Sequence, residues 1–317
     1  MGARDDLEGD GVRMSGPPIL CVGALTADLM MQVDTLPALP GKYPAQGAAL
    51  VAAGMATSAA TAIARLGRDV RLWASAGIGL LGDFVIAQIE RDGIDTRHVR
   101  RLDGVMTAVS AILVEERGER MVVPRYDEPL LAAPSVIPNF EDFAAVLVDV
   151  RWPTAAAAAL DGAREAGIPA VLDLDVGRKP VLEHLAGRAD HIVASLAGAR
   201  TLTGGTGPAD CVEALAATYA ATVVVTDGGN GAWVRPTGDD KTVHVPAFAV
   251  NAVDTNAAGD VFHGAYVVAI VEGMEPAEAV RFASAAAAIK CTRYGGRTGA
   301  PTRAEVDAML AAAHEQV

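Results

Sequence analysis

The chain has 317 residues, 51% of them apolar, and a formal net charge of −13. That length allows one large or two ordinary domains and a sizeable core, while the acidic balance argues against a general nucleic-acid or anionic-membrane surface. An anionic substrate would therefore need a local basic pocket.

Cys21, Cys211 and Cys291 are scattered without CxxC spacing, so neither a zinc site nor a disulfide framework is indicated, and a cytoplasmic setting fits. The first residues, MGARDDLEGDGVR, are acidic and Gly-rich, unlike a secretory signal. Residues 1–16 read as a disordered leader, with Met14 as a second possible start. No apolar run reaches the length of a membrane span.

In chain order, residues 19–23 (ILCVG) read as a buried strand ending in glycine, with Asp28 just beyond. Such an aspartate is either a turn residue or an acceptor for hydroxyl groups. Residues 36–47 are too rich in Pro and Gly for a helix, and Lys42 lies among them. Ala53-Gly54 leads into an amphipathic helix containing Ser58 and ending at Gly67. Gly77-Ile-Gly79-Leu-Leu-Gly82 matches the G-x-G-x-x-G dinucleotide fingerprint. That fingerprint also needs a second buried strand ending in an acid, and the basic run 99–102 before Asp103 serves poorly. An NAD-dependent oxidoreductase remains the rival it suggests. Residues 107–114 and 120–123 are β-rich and form an expected hairpin.

From residue 144 onward, apolar runs at 144–150, 170–174, 192–194 and 222–225 alternate with Ala-rich helical stretches. This predicts an α/β fold with a mostly parallel sheet. Ligands sit at the C-terminal ends of such strands, where Asp149, Arg151, Asp173, Asp175, Ser195 and Thr226 fall. The stretch 226–231 (TDGGNG) is either a β-hairpin turn or a bare-backbone ligand turn, or both.

Residues 243–253 read as strand-like and lead into Asp254-Thr255-Asn256-Ala257-Ala258-Gly259-Asp260, which opens a long helix. Small residues at 257–259 expose N–H groups at a helix entry, a natural anion site. Asp260 beside it is placed to take a proton from an attacking hydroxyl. An anion hole next to a base is what phosphoryl transfer to an alcohol requires. The same heptapeptide is equally a strand-to-helix turn with Asp as a helix-start residue.

The heptapeptide resembles the D-T-x-G-A-G-D signature of the ribokinase-like (PfkB) carbohydrate kinases, with Ala257 where that family has Gly. Ala53 to Gly67 is similar to its G-G-x-x-x-N…A-R-L-G segment, with Ala53 and Ser58 replacing Gly and Asn. Gly77 to Gly82 falls on its G-D-D-x-x-G segment, and Thr226 to Gly231 on its T-x-G-x-x-G nucleotide turn. The family's N-x-x-E would fall at Ser195-Leu-Ala-Gly198 and is absent.

The resemblance implies a domain over 17–317, a sheet flanked by helices, and a β-lid from segments near 30–50 and 105–127. It implies a kinase using ATP and Mg2+, with homodimer pairing through the lid. Asp260 would be the base, with the N–H groups of Ala257, Ala258 and Gly259 as anion hole. Asp28, Gly54 and Ser58 would bind the sugar, and Thr226, Gly228, Gly231, Thr255, Gly259 and Ser284 the nucleotide. Lys290 and Arg293 approach the nucleotide or are solvated.

Gly41-Lys-Tyr43, Asp149-Val-Arg-Trp152, Asp260-Val-Phe-His-Gly264 and Gly295-Gly-Arg297 are similar to the sulfofructose kinases, which also lack N-x-x-E. There Lys42 and Arg151 would grip an anionic substituent of a ketose. A kinase of a neutral sugar and a catalytically silent sugar-binding relative are the alternatives.

Overall fold

The computed structural model describes residues 16–115 and 119–314. Of the expected leader only Gly16 is among them. The strands, in chain order, are β1 (Ile19–Val22), β2 (Thr26–Val33), β3 (Gly47–Ala53), β4 (Val70–Trp73), β5 (Ser75–Gly77), β6 (Arg100–Leu102) and β7 (Val109–Glu115). They continue with β8 (Arg120–Arg125), β9 (Ala145–Val148), β10 (Ala170–Leu174), β11 (His191–Ser195), β12 (Thr222–Thr226), β13 (Ala232–Arg235) and β14 (Val243–Val245). The helices are α1 (Met55–Arg65), α2 (Leu80–Arg91), α3 (Pro153–Ala166), α4 (Lys179–Ala186), α5 (Leu196–Thr203), α6 (Pro208–Thr218), α7 (Ala258–Val271), α8 (Pro276–Cys291) and α9 (Arg303–His314).

Eight strands form the central sheet in the order β14-β13-β12-β11-β10-β9-β1-β4. From β4 to β12 all neighbours are parallel, and β13 and β14 close the edge antiparallel. Residues in β1 alternate between two cores, as the period of a strand requires. Ile19 and Cys21 pack with α1, α7 and α8, whereas Leu20 and Val22 pack with α3 and its neighbours. Both faces are covered, which explains the continuous apolar runs in the sequence.

A second sheet, β3-β2-β7-β8, is the expected lid. It begins at Thr26 and includes all of β3, so it reaches beyond the segments 30–50. The hairpin of β7 and β8 is antiparallel, while β2 and β7 run parallel. Alternation gives the lid two faces. Asp28, Met30, Ser110, Ile112, Val122 and Pro124 line a cavity beneath it. Leu29, Leu50, Met121 and Val123 stay exposed on the other side.

One sequence expectation is corrected, and the dinucleotide rival lacks its structural context. Of the strand-like run 243–253, only Val243–Val245 pairs; the rest is irregular and carries the chain over the sheet edge to the start of α7. The G-x-G-x-x-G stretch turns from β5 into α2, but β5 pairs only with short β6, outside the central sheet. A dinucleotide turn would leave the main parallel sheet. Among the described residues no helix is long and apolar enough to cross a membrane.

Helices α1 and α7 approach closely because Gly264 has no side chain: a Cβ there would lie 2.5 Å from the Ala59 carbonyl oxygen. Gly264→Ala is therefore expected to destabilise the protein by about 1–3 kcal/mol, measured by denaturant unfolding. An unchanged midpoint would show that the helices can separate without cost.

Candidate active site

The lid and the C-terminal edge of the central sheet enclose a cavity of about 500 Å³. Its floor holds Arg151, Asp173, Asp175, Ser195 and Thr226, all at or just past strand ends. Thr255, Asn256, Ala257, Gly259, Asp260 and His263 enter from the start of α7, and Gly295 and Gly296 from the turn after α8.

Ala257 has φ 61 and is the non-glycine residue with positive φ among those described. This left-handed residue turns the chain sharply into α7. Alanine there costs roughly 1–2 kcal/mol relative to a relaxed conformation, strain of the kind concentrated at functional sites. The N–H of Ala258 makes only a long bond of 3.3 Å to the Thr255 carbonyl. The N–H groups of Ala257, Gly259 and Asp260 have no acceptor among the described residues. Helix-start donors left in this way favour an anion.

Asp260 lies half-buried on the first turn of α7 and receives no hydrogen bond from any described residue. Its pKa is raised well above the usual range, by burial first and then by Asp173, with His263 opposing. Asp173 is buried and raised likewise, by burial and by Asp175 and Asp149. His263 lies beneath them, with Nδ1 2.6 Å from the Gly259 carbonyl and Nε2 3.1 Å from that of Val193. Its Nε2 is also 3.4 Å from Asp173 Oδ1. Burial pulls the ring's pKa down although these acceptors oppose it.

At the other end of the cavity Asp28 is buried and accepts a 2.7 Å bond from the Thr26 hydroxyl. Burial raises its carboxyl, against the hydroxyls of Thr26 and Ser110. Gly54 and Ser58 line the wall beside it. Gly54 has φ 110, and a Cβ would lie 2.3 Å from the Ala24 carbonyl oxygen, so glycine is required for this approach. Asp149 lies behind the wall. Its carboxylate accepts from the N–H groups of Ala24 (2.8 Å), Ala56 (3.0 Å) and Arg151 (2.8 Å), joining three segments.

The expected pair of cations is not assembled. Arg151 lines the cavity, but its guanidinium is 3.0 Å from Asp175 and 2.9 Å from the Val176 carbonyl, so its charge is already matched. Lys42 sits on an exposed loop outside the cavity lining. Thr226 and Thr255 reach the cavity, whereas Gly228, Gly231 and Ser284 do not line it. The 226–231 stretch is the turn joining antiparallel β12 and β13, so the hairpin reading holds. Lys290 is neither solvated nor in the cavity: it is fully buried against Asp254. Arg293 pairs with Glu305.

Sequence reasoning missed Arg120, Tyr126, Asn256 and Arg297 in the lining. Burial pushes the Tyr126 hydroxyl up to about 12, leaving it a neutral donor. His263 had a signal, lying three residues after Asp260 on one helix face. Arg120 had none, because the facing of a lid strand depends on where the lid folds. Its backbone pairs with Val114, and its guanidinium makes no hydrogen bond or ion pair with any described residue.

The profile of the pfkB family carbohydrate kinases matches residues 17–303. A solved structure from Agrobacterium tumefaciens, provisionally assigned as a ribokinase, is 40% identical and superposes with a TM-score of 0.92, covering 95% of this chain and 99% of that one. An ATP-dependent ribose-1-phosphate kinase of Halopiger xanaduensis is 30% identical over 298 residues, 92% of this chain and 97% of the relative. A ribokinase of Haemophilus influenzae is 28% identical over 298 residues, 90% and 95% respectively. The chain belongs to the pfkB family of carbohydrate kinases, with a ribokinase-like fold, and is a phosphotransferase rather than an oxidoreductase.

The buried acids imply a stability test. A carboxyl whose folded pKa exceeds its unfolded value costs stability once pH passes the unfolded value. Asp260→Asn removes that cost, so at pH 8 the variant is expected to melt at or above the wild-type temperature. A lower Tm would mean that the ionised carboxylate is needed by the fold.

Proposed function

We propose that the protein transfers the γ-phosphate of ATP to the primary hydroxyl of a sugar. The observation that carries this is Asp260, an unpaired carboxylate on the same helix turn as free N–H groups, facing the cavity that Asp28 lines. In this reading Asp260 takes the hydroxyl proton as the alkoxide oxygen attacks the γ-phosphorus, and ADP leaves. The N–H groups of Ala257 and Gly259, with the weakly engaged one of Ala258, stabilise charge on the transferred group. Asp28 accepts sugar hydroxyl protons and fixes the substrate, with Gly54 and Ser58 shaping the wall. Thr226 and Thr255, which line the cavity, would meet the nucleotide phosphates, while Gly228, Gly231 and Ser284 lie outside the lining.

ATP enters with magnesium, which supplies charge neutralisation on the phosphates. The donor set fits hard-cation chemistry: Asp173 and Asp175 offer carboxylate oxygens to the same cavity. Among the described residues no group of three or more His, Cys, Asp or Glu side chains is placed to hold a metal. The ion would then be held through phosphate oxygens and water together with these carboxylates. An enzyme consuming ATP fits the cytoplasm, as do the free cysteines.

A neutral ribose- or fructose-type sugar fits the cavity better than an anionic one. At the sugar end Asp28 and Asp260 disfavour an anionic substituent, and Arg151 is already paired with Asp175. A second reading, a sugar bearing phosphate or sulfonate, is favoured by Arg120, which lines the cavity and makes no ion pair with any described residue. The ribose-1-phosphate kinase relative supports it as well.

We also assign the outer lid face to pairing between two copies. Leu29 lies opposite Leu50 and Ala111, Ala111 opposite Val123, and Leu113 opposite Met121, a continuous apolar surface. Leu50→Lys with Val123→Lys is expected to convert a dimer to a monomer in sedimentation, and a wild-type monomer would remove the assignment.

The direct test is ADP release with ATP and magnesium over ribose, fructose, fructose 6-phosphate, 6-deoxy-6-sulfofructose, ribose 1-phosphate and a nucleoside. A neutral sugar is expected to give the highest kcat/KM, and Asp260→Asn to lower kcat by about 10²–10⁴-fold. If an anionic sugar wins and Arg120→Met raises its KM, the second reading replaces the first. Near-normal turnover in Asp260→Asn would remove Asp260 as base.

The base works only when ionised. Turnover is thus expected to fall as pH drops through a midpoint above the ordinary carboxylate value of about 4. Removing a negative neighbour lowers that midpoint, so Asp173→Asn is expected to move the acid limb to lower pH. A limb left in place would break the link between these carboxyls.

A further inference from the structure

Lys290 is 0% exposed, although lysine is among the residues least often buried. Its ammonium is 2.6 Å from the Asp254 carbonyl oxygen and 3.1 Å from Asp254 Oδ2. The same Oδ2 accepts the N–H groups of Gly295 and Gly296, each at 3.0 Å. Oδ1 accepts the N–H of Asn256 at 2.8 Å. Backbone bonds from Val253 and Asp254 to the Cys291 carbonyl bring the two chain segments side by side.

One carboxylate therefore ties the segment entering α7 to the glycine turn after α8. Both segments line the cavity, through Thr255 to Ala257 on one side and Gly295 and Gly296 on the other. Neither Asp254 nor Lys290 touches the cavity. Gly295 and Gly296 have φ of 109 and 59, and a Cβ on Gly296 would lie 3.0 Å from the Asn256 amide nitrogen. The turn is thus pressed against the residue that precedes Ala257.

A buried ion pair of this kind is weak evidence for stability, since desolvation offsets attraction. Around this pair α7 and α8 bury mainly aliphatic and aromatic side chains, and an apolar pair would fill this volume too. What an apolar pair cannot do is accept three backbone N–H groups on one side chain and balance the resulting charge.

We propose that Lys290 is a positioning residue for phosphoryl transfer. It is a built-in cation that, through Asp254, holds the helix-entry N–H groups and the glycine turn in the arrangement that receives the transferred phosphoryl group. The pair acts on the phosphate end of the cavity and leaves the sugar end, held by Asp28 and Asp149, untouched. This rests on the kinase reading of the site, and predicts a separation of effects that a general loss of packing does not produce.

The experiment uses the full chain with Lys290→Met, which keeps the shape and removes the charge, and Lys290→Met with Asp254→Asn, which leaves no lone buried charge. Kinetics with the best sugar of the panel, and calorimetry with ADP and a non-hydrolysable ATP analogue, are read on both. In each variant kcat is expected to fall at least 100-fold with the sugar KM within twofold. Affinity for the ATP analogue is expected to fall about tenfold while that for ADP changes less than twofold. Lys290→Ala is expected to regain turnover with added methylammonium but not with methanol.

A folded variant that keeps kcat within threefold and its affinity for the analogue overturns the proposal. So does a parallel loss of sugar KM, ADP affinity and analogue affinity. Failure of both variants to fold would assign the pair to the fold and also overturn it. If the wild type transfers phosphate to no sugar, the kinase reading fails, while the calorimetric comparison still decides the role of Lys290.

Discussion

Acidic side chains gathered at one edge of a parallel sheet are the constraint on which this structure turns. Asp149, Asp173, Asp175, Asp254 and Asp260 all lie at or near the C-terminal edge, and carboxylates so placed must be compensated. The chain uses two solutions. Asp149 and Asp254 are each given backbone N–H groups from separate segments, and so become the knots that hold the cavity walls. Asp173 and Asp260 are left largely without donors, with their pKa values raised by burial. The first pair ties the cavity walls together and the second leaves carboxyls open to the cavity.

The same division separates the two ends of the cavity. Around Asp28 the contacts come from the lid and from α1, and Gly54 lets the backbone pass close to Ala24. Around Asp260 they come from the α7 entry and the glycine turn. A lid over one end and a rigid floor at the other suits a reaction in which water must be excluded before a phosphoryl group moves.

Departures from the family pattern are absorbed locally. Alanine at 257 takes up the left-handed conformation that glycine adopts freely, at a modest cost in strain. Ser195, where the family has asparagine, caps α5 by accepting from the Gly198 N–H and donates to Asp175. Asp175 in turn pairs with Arg151, so a different set of polar contacts fills that strand end. The cation that seemed available for an anionic sugar is thereby consumed within the protein.

Much of the fold was legible in the sequence because its signals are periodic and local. The apolar runs at 144–150, 170–174 and 222–225 became central parallel strands, and the alternation with helices dictated the sheet. The heptapeptide ending in Asp260 was legible too, since exposed helix-entry donors and a nearby carboxylate are properties of a short stretch. What the sequence could not decide depends on pairs far apart in the chain. Lys290 and Asp254 are 36 positions apart, and Arg151 and Asp175 are 24 apart. Whether Arg120 faces the cavity depends on lid register. A cation's role is set by the carboxylate that tertiary folding brings within about 3 Å of it. Local residue type therefore determined the sheet, the helix entry and the carboxylate beside it, and only the folded chain decided which cations are matched within the protein.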